Sequence, residues 1–182
     1  MRSIPSRLSS ILVGVLLLAL PAYAQRPPEQ EKPVQNGDRG ERDVARIRAA
    51  TEAFKSLDAA VAAGYAGDVT ACLENPPQGG MGYHHQNDAL LDDKIELERP
   101  EMLVYERLGD GSYRLNGVEY IVPFSAHPAD AEPPTVMGQE LKPAPSLRIW
   151  YRHVWVWLEN PSGLFADWNP RVECRAPAPA GR

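Results

Sequence analysis

The chain carries four histidines, His84, His85, His127 and His153, and their surroundings differ sharply. His84 and His85 fall in Gly82-Tyr83-His84-His85-Gln86-Asn87, directly after a glycine-rich loop segment, and glycine lets a backbone approach a bound ion or ligand closely. His153 lies in the aromatic and β-branched run LRIWYRHVWVWL (147–158). A protonated ring is costly there, so His153 should be neutral and either hydrogen-bonded or metal-bound. Glu119 stands between Val118 and Tyr120 in a strand-like run, and if it points inward it needs a cation or a donor. His84 (or His85), Glu119 and His153 thus make a two-histidine, one-carboxylate set. Zinc, iron and copper all accept such ligands, so the expected cofactor is a divalent transition metal. An open coordination position would permit metal-assisted hydrolysis or oxygen chemistry. Tyr83, Tyr151 and Trp155 are the side chains expected to wall the pocket. There is no HExxH, and no H-x-H followed by a carboxylate, so the spacing selects no metal and leaves enzyme and binding protein both open.

Other chemistries have less to stand on. There is no G-x-S-x-G, and Ser162 in Pro161-Ser162-Gly163 reads as a turn residue. Asp88, Asp92, Asp93, Glu96 and Glu98 lack the alternating acids of a calcium loop and read as a solvated helix face. Glu119 and Asp167 are the pair a glycosidase would need. Trp150, Trp155, Trp157 and Trp168 are all the tryptophans, gathered in the last third. An exposed row of them would stack on sugar rings, and the chain would then be a non-catalytic carbohydrate- or partner-binding module on a disulfide-stapled scaffold. A net charge of −5 without a Lys/Arg cluster excludes a nucleic-acid backbone as partner and leaves a small ligand or glycan.

The segments around these residues indicate where they must operate. Arg2 and Arg7, the apolar run Ile11 to Leu20, and Ala22-Tyr23-Ala24 before Gln25 read as a cleaved signal peptide over 1–24. No later apolar run reaches membrane length, so no membrane contact is expected after cleavage, and the protein should be periplasmic or secreted. That compartment is oxidising, and Cys72 and Cys174 are the only cysteines, so a single disulfide is expected. Closing a loop of about a hundred residues constrains the unfolded chain by roughly 4 kcal/mol.

Residues 25–40, with three prolines and a single aliphatic side chain, read as a disordered leader, and 175–182 as a disordered tail. Between them 41–174 reads as one α+β domain. Val44, Ile47, Phe54, Leu57 and Val61 recur at helical spacing, which predicts one long helix over about 41–63 stopped by Gly64. Asn75 to Gly82 predicts loop, and Asn87 to Glu96 a short helix. From Met102 the period becomes two, with turns at Gly109-Asp110-Gly111 and Asn116-Gly117. Residues 125–146, with five prolines, predict a long surface loop, and 147–158 a central strand apolar on both faces. The fold class is therefore α+β: one long N-terminal helix packed on an antiparallel sheet of four or five strands, loop-rich.

Several of these segments form a pattern. It comprises Gly80-Met81-Gly82-Tyr83-His84 with Asn87, Arg99-Pro100-Glu101 leading to Leu103-Val104-Tyr105-Glu106, and Gly117-Val118-Glu119-Tyr120. It ends with His153-Val154-Trp155-Val156-Trp157, Asn160-Pro161, Gly163, Phe165, and Trp168-Asn169-Pro170 to Cys174. Over roughly 45–174 this resembles a group of exported bacterial proteins of unassigned function. The resemblance implies that His84 and His153 belong to one recurring module. His85 stands outside the pattern and ranks below His84. No activity is implied.

Overall fold

The computed structural model describes residues 36–67 and 71–174. The expected signal peptide, the leader up to residue 35 and the expected tail lie outside these residues. The first helix, α1, spans Asn36–Thr51, so it begins five residues earlier than the apolar spacing predicts. Asp38 in its first turn and Arg48 in its last complement the helix dipole. The helical path continues through a 3-10 turn, Glu52–Lys55, and resumes as α2, Leu57–Ala62. The single helix expected over 41–63 is broken at Ser56, which adopts an extended conformation and accepts a hydrogen bond from the Ala59 amide. A serine that can cap the next turn offers the backbone an alternative to continuing the helix.

Eight strands follow: β1 (Leu73–Glu74), β2 (Gly80–Gln86), β3 (Met102–Arg107), β4 (Tyr113–Pro123), β5 (Thr135–Val136), β6 (Gln139–Glu140), β7 (Lys142–Ala144) and β8 (Ile149–Val154). Six form one antiparallel sheet in the order β1-β2-β3-β4-β8-β7, and β5 and β6 form a separate hairpin. The class is α+β as expected, with one strand more than the upper expectation because β7 emerges from the proline-rich 125–146 segment. Cys72 and Cys174 are disulfide-bonded, also as expected, which tethers the start of β1 to the C-terminal segment.

Further local expectations change. Residues 80–86 are a strand rather than a loop, so His84 sits on a sheet. Gly82 has a φ of +99°, and a Cβ there would lie 2.3 Å from the Tyr105 carbonyl oxygen; the glycine serves a close strand contact, not a ligand. Of the helix expected over 87–96 only a 3-10 turn, Asp88–Leu90, forms. The aromatic strand stops at Val154, because the Trp157 and Leu158 amides both donate to the Asn116 carbonyl, 2.9 Å away, and leave the ladder.

Asn116-Gly117, expected as a tight turn, lies inside the continuous strand β4. Val104 pairs with Gly117 but Tyr105 pairs with Leu115, so Asn116 is the extra residue of a β-bulge. Gly117 also allows close approach: a Cβ there would meet the Val154 carbonyl oxygen at 2.8 Å. The bulge flips the alternation. Leu115 before it and Val118, Tyr120 and Val122 after it all join one core with Leu103, Tyr105, Ile47, Ala60 and Tyr65. The Tyr105 hydroxyl donates to the Phe54 carbonyl (2.6 Å) and Trp157 Nε1 to Thr51 Oγ1 (3.0 Å), anchoring the helical segment to this face. Glu119 and Ile121 consequently point to the opposite face, with His153 and Tyr151 as their register partners on β8.

One buried acid on the chain has a structural consequence of its own. Glu101 is 2 % exposed and accepts a hydrogen bond from the Ile121 amide (3.0 Å). Burial outweighs that bond and pushes its carboxyl up to about 8. The folded protein therefore keeps a proton that the unfolded chain releases above about pH 4.5. Its contribution to stability is present below that pH and is lost as pH rises through about 8. Glu101→Gln should gain on the parent in thermal melts from pH 5 to pH 9. The gain should be on the order of 5 kcal/mol at the upper end, at about 1.4 kcal/mol per pH unit. A constant difference across that range would mean the folded carboxyl is ionised.

Candidate metal centre

His84 on β2, Glu119 on β4 and His153 on β8 lie on the sheet face away from the helical core, all three buried. Three strand spacings, about 14 Å, separate β2 from β8 in a flat sheet. The Nε2 atoms of His84 and His153 are nonetheless 3.2 Å apart, so the sheet curls and the two imidazoles reach inward across it. Glu119 completes the triangle, with its carboxylate oxygens 3.7 Å from His84 Nε2 and 3.6 Å from His153 Nε2. Those carboxylate distances are too long for hydrogen bonds. They suit ligands of a common ion. Donors at about 2.0–2.1 Å from a metal lie about 2.9 Å apart at octahedral angles and about 3.4 Å apart at tetrahedral ones, and more as the angle opens.

The electrostatics of the cluster follow from burial. Desolvation, followed by the facing His153 ring and the adjacent His85, pushes His84 down to about 3, so its ring is neutral at pH 7. Desolvation raises the Glu119 carboxyl; His153 acts against that rise and Asp167 adds to it. A carboxylate and two imidazole nitrogens turned toward one another in a dry site favour a cation between them.

Asp167 was not foreseen as a partner of this site. Its Oδ1 is 3.9 Å from His153 Nδ1, the ring nitrogen remote from the cluster, and Lys142 Nζ donates to both of its oxygens at 2.8 Å. Burial works against the Asp167 carboxylate, but the nearby His153 ring and the bonded Lys142 ammonium prevail and hold it down at about 2. At 3.9 Å the carboxylate is beyond hydrogen-bond reach of that nitrogen, but it stands where carboxylate–histidine–metal triads place theirs, behind the outer nitrogen of the ring. The only signal in the sequence is one acid in the otherwise apolar and aromatic stretch 164–168. For the glycosidase pairing the arrangement is unsuitable: Glu119 and Asp167 face opposite nitrogens of His153, so an imidazole stands between them.

The other expected residues divide. Tyr151 lines the same cavity as His84, Glu119 and His153. Trp155 does not reach the cavity; its ring stacks on the His153 ring (centroids 6.1 Å apart, 13° between planes) and its Nε1 donates to the Ala166 carbonyl. Tyr83, expected at the wall, packs edge-on against Tyr113 (5.7 Å), because neighbouring strand residues point to opposite faces and His84 has the cavity side. His85 packs against Tyr105 on that same far side (5.1 Å). His127 Nε2 lies 2.7 Å from the Glu132 carbonyl oxygen, in the loop before β5. The tryptophans form no exposed row: Trp150 and Trp155 are each 3 % exposed.

The cavity holds about 180 Å³. His84, Glu119 and His153 share it with Met102, Ile121, Ile149 and Tyr151, and with Leu73 and Ala144 from the two edge strands. Among the described residues no helix is long and apolar enough to cross a membrane. Comparisons with protein-family models, with curated proteins and with solved structures give no match to this chain.

Proposed function

We propose that the protein binds one divalent transition-metal ion through His84 Nε2, Glu119 and His153 Nε2, with Asp167 as the positioning residue of His153, and presents that ion to a small ligand. The observation that carries this is the triangle itself: three buried donors whose ligating atoms lie within 4.8 Å of one another, at separations that one ion satisfies. Three protein ligands leave coordination positions open, as in catalytic rather than structural sites, so the ion would act as a Lewis acid on what enters the cavity. The disulfide supports the reading of an exported protein, since such bonds persist in oxidising compartments.

The test is a titration of chelator-treated protein with Zn²⁺ and with Co²⁺. One equivalent of each should bind, and the Co²⁺ form should show visible absorption of low-symmetry nitrogen and oxygen ligation. Binding below a tenth of an equivalent, or binding unchanged in His84→Ala, refutes the assignment. Asp167→Asn should retain the site but weaken zinc by about 10–100-fold, the usual cost of losing a partner behind a ligating histidine. An unchanged affinity would remove Asp167 from the centre.

A further inference from the structure

Resting on that metal reading, we infer that the cavity takes a small apolar monoanion: a carboxylate bearing a single ring or a chain of about six carbons. Charge is the first reason. A divalent ion held by Glu119 alone among acids leaves one positive charge in a dry site, and the nearby Lys142–Asp167 pair neutralises itself. A single anionic donor balances the site, whereas a cationic ligand would be repelled.

The walls are the second reason. Around the ligating groups the surface is Met102, Ile121 and Ile149, which gives sugar hydroxyls or peptide groups little to pair with and suits a hydrocarbon tail. Size is the third. An apolar cavity of about 150 Å³ accommodates one benzene, so about 180 Å³ suits one ring or a six-carbon chain.

The mouth is independent of the metal. Leu147 is 65 % exposed and Leu73 is 42 % exposed, and with Val61 they are the exposed large apolar side chains among the described residues. Both line this one cavity, from opposite sides of the sheet: Leu73 on β1, whose start the disulfide tethers, and Leu147 in the β7–β8 turn. One exposed leucine means little, but two lining one cavity from opposite edges of the sheet form an apolar entrance.

The experiment uses the exported, disulfide-bonded protein, first titrated with Zn²⁺ and then, zinc-loaded, with acetate, butanoate, hexanoate and octanoate by calorimetry. Affinity should rise about fourfold per methylene and level off near hexanoate. Leu147→Ser should weaken hexanoate several-fold while leaving acetate unchanged, and hexylamine should not bind. If zinc binds but affinity is flat across the series, or hexylamine binds as well as hexanoate, the inference is overturned and the metal reading stands. If zinc does not bind, the metal reading falls, and the same series on zinc-free protein decides the ligand class. Affinity that still rises with chain length keeps the apolar carboxylate; its absence overturns it.

Discussion

Glu119→Gln should melt higher than the parent in the presence of a chelator, and should no longer be stabilised by zinc. The substitution keeps the shape and an acceptor oxygen but removes an ionisable group that folding buries to 6 % exposure, beyond hydrogen-bond distance of either imidazole. Without an ion, burial raises that carboxyl and its charged form costs the fold desolvation, a cost the neutral amide does not carry. With an ion the balance reverses. The parent gains about 2.7 kcal/mol at a hundredfold excess of zinc over its dissociation constant, and the variant gains none of it. Loss of a direct ligand should weaken zinc by more than the roughly hundredfold ceiling expected for a group behind a ligand. Differential scanning calorimetry with and without zinc checks both halves. A variant that melts lower than the parent in chelator would show that Glu119 serves the fold rather than the ion.

The second large effect concerns the staple. Cys72→Ala combined with Cys174→Ala should lower stability by about 4–5 kcal/mol, because the bond closes a loop with a sequence separation of 102 residues. For a domain of this length that corresponds to a melting temperature lower by on the order of 10–15 °C. The local consequence is separable. β1 has two residues and is tethered by the disulfide and by the Cys174 amide bonding to the Glu74 carboxylate (2.5 Å), so it should detach from β2 when the bond is removed. The candidate ligands lie on β2, β4 and β8; His84 is on the strand next to that edge, but β2 is also held from its other side by β3. Zinc should therefore still bind the double variant under conditions where it remains folded. Hydrogen exchange at residues 73 and 74, read beside zinc stoichiometry, checks this. Loss of zinc binding in a fully folded variant would show that the edge strand supports the centre.

Much of this was legible from residue types. The period-two runs around Leu103 and Val118, the helical spacing from Val44 to Val61, and a lone cysteine pair all express local rules. Each depends on a few neighbouring residues or on counting. His84, Glu119 and His153 could be singled out by the same logic, since a histidine or an acid among apolar strand residues must find a partner. Trp155 takes the face expected of it, beside His153, but lies past the end of β8 and outside the cavity, whereas Tyr83 takes the opposite face. Which face a side chain takes depends on register, and the run of residues around Tyr83 does not settle its register.

What the sequence alone determined is therefore chemical and local: an α+β chain, two cysteines with only each other to pair with, and three buried-type polar residues in need of a cation or donor. Tertiary structure decided the rest. Asn116-Gly117 became a bulge instead of a turn because β8 and the Trp157 and Leu158 amides supply its hydrogen bonds, and that one extra residue turns Glu119 toward His153. The curl that brings β2 toward β8, and the return of Asp167 behind His153, depend on contacts between residues far apart in the chain. Pairings at such range are set by the summed packing of the whole sheet, which no local pattern encodes.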